Sequence, residues 1–361
     1  LSYAKEDITL IADENSYQPG DTLKALGTVK LKGQVLKADG QVNSGFSGSL
    51  IATVFDKPTE IETYGHEDPV MRFLVRDNII FKGEVSVTAG EFDIEFIVPK
   101  NITYDFEKGK VSLYALDVSQ HLDAGGSNIE FAVGGESEDY EVDTTPPEIQ
   151  LFINDTSFVN GGITRPDILL VGNLSDESGI SISNSDSGQE LIAVLDNEEE
   201  ITVNGYYVSA IDTYKKGWVT YPFKDLSIGT HKIRLKAWDI HNNSNEAEIE
   251  FLVVEDAYLA IEKLMNFPNP FRDYTRFSFE HNRAGDDLEI MIDIYSLQGK
   301  LVKQFIYTRE NSESRISDLV WDGKAKNGSI LLSGVYIFRL SIRSLIDGSK
   351  KQANQKLVII N

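Results

Sequence analysis

From Asp287 to Tyr295 the chain alternates without a break. Leu288, Ile290, Ile292 and Ile294 fall on one face, and Glu289, Met291 and Asp293 on the other. A period of two belongs to a half-buried β-strand and to no helix. The pattern recurs in Thr28 to Val35 (Val29, Leu31, Val35), in Phe92 to Val98 (Phe92, Ile94, Phe96, Val98) and in Thr230 to Asp239 (Ile233, Leu235, Ala237). Turn formers separate these runs: Asp39-Gly40, Ala89-Gly90, Asn327-Gly328 and Asp347-Gly348 supply residues that tolerate φ > 0. After Leu50 to Phe55, Pro58 stops the ladder because it has no N–H to donate. Only Ala257 to Met265 has helical spacing, through Tyr258, Ile261 and Met265, and it is too short and uncapped to be more than one turn. The chain therefore reads as all-β.

Strands recurring about every ten residues, with turns between them, point to sandwiches. With 361 residues there is material for several cores. The expected organisation is three tandem, immunoglobulin-like β-sandwich domains over residues 1–136, 144–256 and 266–361. The acidic stretch 137–143 and residues 257–265 serve as linkers. Thr144-Thr145-Pro146-Pro147 opens the second module, and the strand ending at Asp239, the turn at Asn242-Asn243 and Ala247 to Val254 form its closing hairpin.

Several function classes are excluded or disfavoured by composition. The chain has no cysteine, so it holds neither a disulfide framework nor a thiol nucleophile. A formal charge of −23 makes nucleic acid and anionic membrane poor partners. That charge is uneven: from Glu262 onward there are 15 Lys+Arg against 12 Asp+Glu, whereas the first 261 residues carry 19 against 45. No apolar run approaches the ~20 residues that span a bilayer. Leu1-Ser2-Tyr3-Ala4-Lys5-Glu6 lacks a basic region followed by an apolar core. In an exported protein Leu1 is thus expected to be a cut point within a longer precursor.

Candidate sites are few. His66, His121, His231, His241 and His281 are scattered, with no metal-ligand spacing on one face, and solvent or turn roles are expected for them. No nucleophile elbow is present, so no catalytic residue is assigned. Asp176, Glu177, Asp186 and Asp239 fall on loops at sandwich ends, where carboxylates can hold calcium. They are the only cofactor candidates, and plain Asx turns are the competing account. Tyr206, Tyr207, Tyr214, Trp218 and Tyr221 are dense enough for a sugar-binding face, against which stands their ordinary use as core.

The last hundred residues carry a series of short motifs. They run Asn266-Phe267-Pro268-Asn269-Pro270-Phe271, Ser296-Leu297-Gln298-Gly299-Lys300-Leu301-Val302, Trp321-Asp322-Gly323, Gly334-Val335-Tyr336 and Lys356-Leu357-Val358-Ile359. This series resembles the C-terminal sorting domain of type IX secretion, found in Bacteroidetes. Glu280-His281-Asn282-Arg283 and the upstream motifs Thr53-Val54-Phe55-Asp56-Lys57 and Phe96-Ile97-Val98-Pro99-Lys100 extend the likeness. The whole chain resembles the region downstream of the peptidase domain in gingipain-like sortases of that system. The resemblance implies a cell-surface role peripheral to the outer membrane. The parent, a cysteine peptidase, removes sorting domains from cargo and attaches the cargo to lipopolysaccharide. This part is non-catalytic and would scaffold the peptidase and dock it to the outer-membrane barrel PorV and other attachment-complex subunits. The sorting and docking residues implied are Pro268, Asn269, Pro270, Gly299, Trp321, Gly323, Gly334, Tyr336, Lys356, Leu357 and Val358. Trp321 is expected under the hairpin of Val335 to Leu340, and the final strand, Gln355 to Ile360, is expected to leave a backbone edge open to a partner. The alternative is a secreted adhesin or carbohydrate-binding cargo protein with a sorting tail.

Overall fold

A computed structural model describes residues 6–12, 16, 18, 20–65, 69–102, 104–184, 188–255 and 259–360. Among these the regular structure is β throughout, apart from one 3-10 turn at Asn204–Tyr206. The chain forms two compact units. The first comprises Leu1–Gln150, Gly172–Thr220 and Arg234–Ala247; the second comprises Leu151–Val171, Tyr221–Ile233 and Glu248–Asn361. Residues 144–256 are therefore shared between the units.

In the first unit the strands Ile79–Val87, Gly48–Phe55, Lys110–Asp117, Leu122–Asn128, Glu6–Ile11, Thr28–Leu36 and Glu91–Ile97 lie side by side in that order. A smaller sheet of Thr22–Ala25, Ala132–Glu136 and Glu107–Lys108 accompanies it. The alternating faces become the core: Val29, Leu31, Val35, Phe92, Ile94, Phe96 and Val98 are all buried together. Two runs far apart in sequence are direct partners, with Val29 opposite Phe96, Leu31 opposite Ile94 and Gly33 opposite Phe92. The Phe92 ring fills the space above Gly33, where an added Cβ would stand 2.1 Å from it. Pro58 lies just beyond the end of Gly48–Phe55. Thr59–Glu62 and Arg72–Val75 then pair as an exposed hairpin. Of the irregular insertion, residues 66–68 (with His66) lie outside the described residues.

A terminal sandwich dominates the second unit. One sheet runs Ile261–Phe267, Thr275–His281, Arg315–Trp321, and the other Leu301–Arg309, Leu288–Ser296, Gly334–Ser344, Lys350–Ile359. Leu288, Ile290, Ile292 and Ile294 all point into its core, together with Phe277, Phe279, Trp321, Phe338 and Leu340. Residues 261–265, expected to be linker with a helical turn, instead belong to the first strand of this sandwich, antiparallel to Thr275–His281. Its pairing with a neighbour outweighs a weak three-residue helical pattern. Tyr258, the first residue of that pattern, lies outside the described residues.

Turn chemistry is as expected at Gly348 (φ 76°), and Gly299 (φ 79°) also takes a positive φ, in a turn where Ser296 N–H donates to the Lys300 carbonyl at 2.9 Å. At Asn327-Gly328 only the glycine takes φ > 0. Asn327 makes an Asx turn instead, its side-chain oxygen accepting from Ser329 N–H at 3.1 Å and Ser329 Oγ at 2.7 Å.

Candidate functional site

The short motifs of the last hundred residues meet at one end of the terminal sandwich. Asn269 is their hub. Its amide donates to Asn266 Oδ1 at 3.1 Å and to the Lys356 carbonyl at 3.0 Å, and its oxygen accepts Val358 N–H at 2.9 Å. Phe271 continues the pairing, donating N–H to the Val358 carbonyl at 3.0 Å and accepting Ile360 N–H at 2.9 Å. The Pro268 carbonyl accepts from Thr275 Oγ1 at 2.9 Å, and Thr275 in turn accepts from the Asn266 amide at 3.0 Å. The proline-rich segment is thus a strap along the last strand. The open backbone edge expected over Gln355 to Ile360 is closed at Lys356, Val358 and Ile360. Edges of this kind are commonly covered so as to prevent stray pairing.

The remaining motifs support the strap. Phe271 is buried against Trp321, ring centres 5.6 Å apart, and Trp321 Nε1 donates to the Lys324 carbonyl at 3.0 Å. Gly323, at φ 71°, lets the chain turn beside the Phe271 ring, which an added Cβ would approach to 3.3 Å. Gly334 pairs with Ile359, Tyr336 with Leu357, and Tyr336 also with Ser296 at the foot of the Gly299 turn. Tyr336 Oη donates to the Leu332 carbonyl at 3.0 Å. Leu357 is buried and Lys356 exposed. Around this pole stand exposed apolar side chains, Phe267, Leu297, Ile330 and Leu332, and the exposed lysines Lys300, Lys326 and Lys356.

Replacing Asn269 by Ala removes three side-chain hydrogen bonds and leaves Val358 N–H to water. The expected cost is about 1–3 kcal/mol. Faster hydrogen exchange at Val358 and Ile360 is the accompanying readout, and unchanged exchange there would refute the strap.

A second concentration of polar groups is buried in the same unit. Glu280, His281, Asn282, Arg283, Asp286, Ser312, Ser314 and Ser344 are all nearly inaccessible. The His281 ring lies 3.2 Å from Ser312 Oγ through Nε2, while its Nδ1 accepts Arg283 N–H at 3.1 Å. An Nδ1 that accepts leaves the proton on Nε2, so this imidazole donates to the serine and cannot act as its base. Burial pushes His281 down to about 4, with nearby Arg165 and Arg283 adding to the fall and Asp155 opposing it. Asp155 Oδ2 accepts Ser314 N–H at 2.8 Å and Ser314 Oγ at 2.6 Å. Arg165 reaches Asp286 at 3.4 Å. These contacts are structural joints.

In the first unit the calcium candidates divide. Asp176 and Asp239 are buried and lie near one another. Glu177 turns outward to Lys215 at 2.5 Å, and Asp186 lies outside the described residues. Two residues not singled out as calcium candidates join the pair: Asp143 and His241, whose donor atoms come within 4.8 Å of each other and of Asp239. Their positions in a linker and a turn gave no sequence signal of convergence. The aromatic residues do not form one face. Tyr207 is buried, whereas Tyr206 and Trp218 are exposed, and Tyr221 packs edge-on against Phe223 at 5.0 Å.

No protein-family model and no curated protein matches this sequence. Among solved structures, dimeric latent PorU from Porphyromonas gingivalis is 31% identical over 99% of this chain and 34% of that chain, with a TM-score of 0.42. The chain thus spans about a third of that protein's length, and the similarity is to one region of it. The tetra-tandem repeat in the extending region of a large adhesion protein is 14% identical, covering 98% of this chain and 74% of that one at a TM-score of 0.20. A 1.5-MDa bacterial ice-binding adhesin is 11% identical, covering 99% of both at 0.19. Nothing about function rests on the two adhesin likenesses.

Proposed function

We propose that this chain is the non-catalytic C-terminal region of a PorU-type, gingipain-like sortase of type IX secretion, held at the cell surface against the outer membrane. The observation that carries the reading is 31% identity to PorU sustained over 99% of the chain. With no cysteine here, the thiol that such a peptidase requires belongs to a domain outside this sequence. The first module holds that domain, and the terminal sandwich docks the assembly to the barrel protein PorV.

The surface chemistry of the sandwich supports the docking role. Its sorting motifs are mostly used up in folding: Asn269, Trp321, Gly323 and Leu357 all face inward or pair with backbone. What the motifs hold in place is the pole itself, with its exposed Leu297, Ile330 and Leu332 and its lysines. Apolar groups ringed by polar ones are the usual anatomy of a docking face. Contact therefore falls on the pole, where the strap has already closed the strand edge.

Capture of purified barrel by the whole chain tests this. Leu297→Glu combined with Leu332→Glu should abolish capture while changing stability by no more than about 0.5 kcal/mol per site, since both side chains are exposed. Undiminished capture by that variant would remove the pole from the interface. No capture by the unaltered chain would remove the docking role.

A further inference from the structure

Three carboxylates and an imidazole converge in the first unit, from two segments that adjoin there and from the stretch preceding Thr144. Asp176 begins the loop Asp176–Gly179, in which Gly179 N–H returns to the Asp176 carbonyl at 3.2 Å. Ile240 N–H donates to the Gly179 carbonyl at 3.1 Å, which fixes this loop beside Asp239 and His241. The Asn243 amide donates both to the Asp143 carbonyl, at 3.1 Å, and to Asp239 Oδ2, at 2.6 Å, so Asp143 is drawn to the same place.

Each carboxylate keeps acceptor capacity. Among the described residues Asp239 accepts from Asn243, Asp176 from Ser178 N–H and Oγ, and Asp143 from Thr145 N–H at 2.8 Å and from the Ser178 and Thr145 hydroxyls. A carboxylate has about four lone-pair sites. No lysine or arginine pairs with any of the three among the described residues. Asp239 is fully buried and Asp176 nearly so. Buried like charges without a counter-charge are costly.

The histidine supplies an independent observation. Both ring nitrogens of His241 are shut off from solvent, and neither has a hydrogen-bond partner among the described residues. Buried imidazole nitrogens are rarely left so. Its donor atom and those of Asp143 and Asp239 lie within 4.8 Å of one another. Donors that share one cation at about 2.0–2.2 Å from each stand at most about 4.4 Å apart, so this group lies within a small side-chain adjustment of that spacing.

We propose that Asp143, Asp239 and His241, with Asp176 alongside, bind a divalent transition-metal ion of the zinc type. Calcium takes an all-oxygen shell of six to eight ligands, whereas a mixed set of one imidazole and carboxylates is zinc-like chemistry. The ion neutralises the buried carboxylates and ties the Asp143 stretch to the Asp239 turn within this unit. Its role is structural.

The test uses the whole chain, stripped with chelator and titrated with zinc, cobalt(II) and calcium separately. Zinc should bind at a one-to-one ratio and raise the melting temperature, and cobalt(II) should give a visible absorption band. His241→Gln and Asp143→Asn should each weaken zinc binding by about tenfold or more, the scale on which metal sites respond even to their supporting residues. X-ray absorption of the zinc-loaded, unaltered chain should carry the imidazole signature, which keeps the proposal testable should either variant fail to fold. No zinc binding, equal affinity in His241→Gln, or a zinc spectrum without imidazole would each overturn it. So would calcium stabilising the chain and its His241→Gln variant alike while zinc does nothing.

Discussion

Trp321→Ala should destabilise the terminal sandwich by about 3–5 kcal/mol, the range for emptying a buried tryptophan site. Trp321 is only 1% exposed and sits between the strap and the sheet that carries Tyr336 and Phe338. Its indole N–H is spent on the Lys324 carbonyl, so truncation also leaves that carbonyl without its donor. Phe271 loses the ring it packs against, and with it the strap loses its anchor on the Trp321 side. A domain whose whole stability is about 5–15 kcal/mol keeps little margin after such a loss. In a chain of two units a single melting point mixes transitions. The sharper readout is amide exchange along Leu288–Ser296, which should accelerate in the variant, against Thr28–Leu36 in the first unit, which should not. Equal protection of Leu288–Ser296 in both proteins would show that Trp321 contributes no such packing.

What the sequence made legible is what a period of two encodes. The strand over Leu288 to Ile294 faces the core with the four residues that the alternation selects, and so do Val29, Leu31 and Val35 in the first unit. Alternation gives the face of a strand but not its partner. That Val29 lies opposite Phe96, across a long stretch of intervening chain, depends on packing between distant segments. The strap was hidden for a related reason. Its bonds run from the side chain of Asn269 to the backbone of Lys356 and Val358, and a motif shows residue types without showing what they reach. A final strand read alone therefore looks like an open edge. Nothing in the sequence couples His241, for which a solvent or turn role is expected, to Asp143 in the acidic stretch; the fold brings them together.

The same division holds for the motif series of the terminal sandwich. Its residues specify a shape: Gly299 and Gly323 set turns, Asn269 and Phe271 seal the last strand, and Trp321 backs the seal. Under the proposed function a partner then recognises the pole that these residues build. Changes to exposed pole residues should alter docking with the fold intact, whereas changes to the motif should act first through stability.

Acidification supplies a large effect of a different kind. His281 is buried and held neutral, pushed down to about 4 by desolvation first, with Arg165 and Arg283 adding to it and Asp155 and the Glu313 backbone opposing. In the unfolded chain the same imidazole titrates near 6.5. Between those values the unfolded state binds the extra proton, so stability rises with pH and is lost as pH falls from about 6.5 to about 4. At about 1.4 kcal/mol for each pH unit, the loss amounts to about 3 kcal/mol. Asp176 and Asp239 work in the opposite direction, since carboxyls pushed up by burial take protons in the folded state first. The His281 contribution is isolated by difference. Denaturant unfolding of the chain and of His281→Gln, each at pH 7 and pH 4, should show the unaltered protein losing about 3 kcal/mol more than the variant over that interval. The amide of glutamine cannot take up the proton, so its steep dependence disappears even if the variant starts less stable. Parallel losses in the two proteins would mean that His281 is charged in the folded state, or is reached by water, and would assign the acid sensitivity to hydrogen-bonded carboxylates held low, such as Asp117, Asp322 and Asp347.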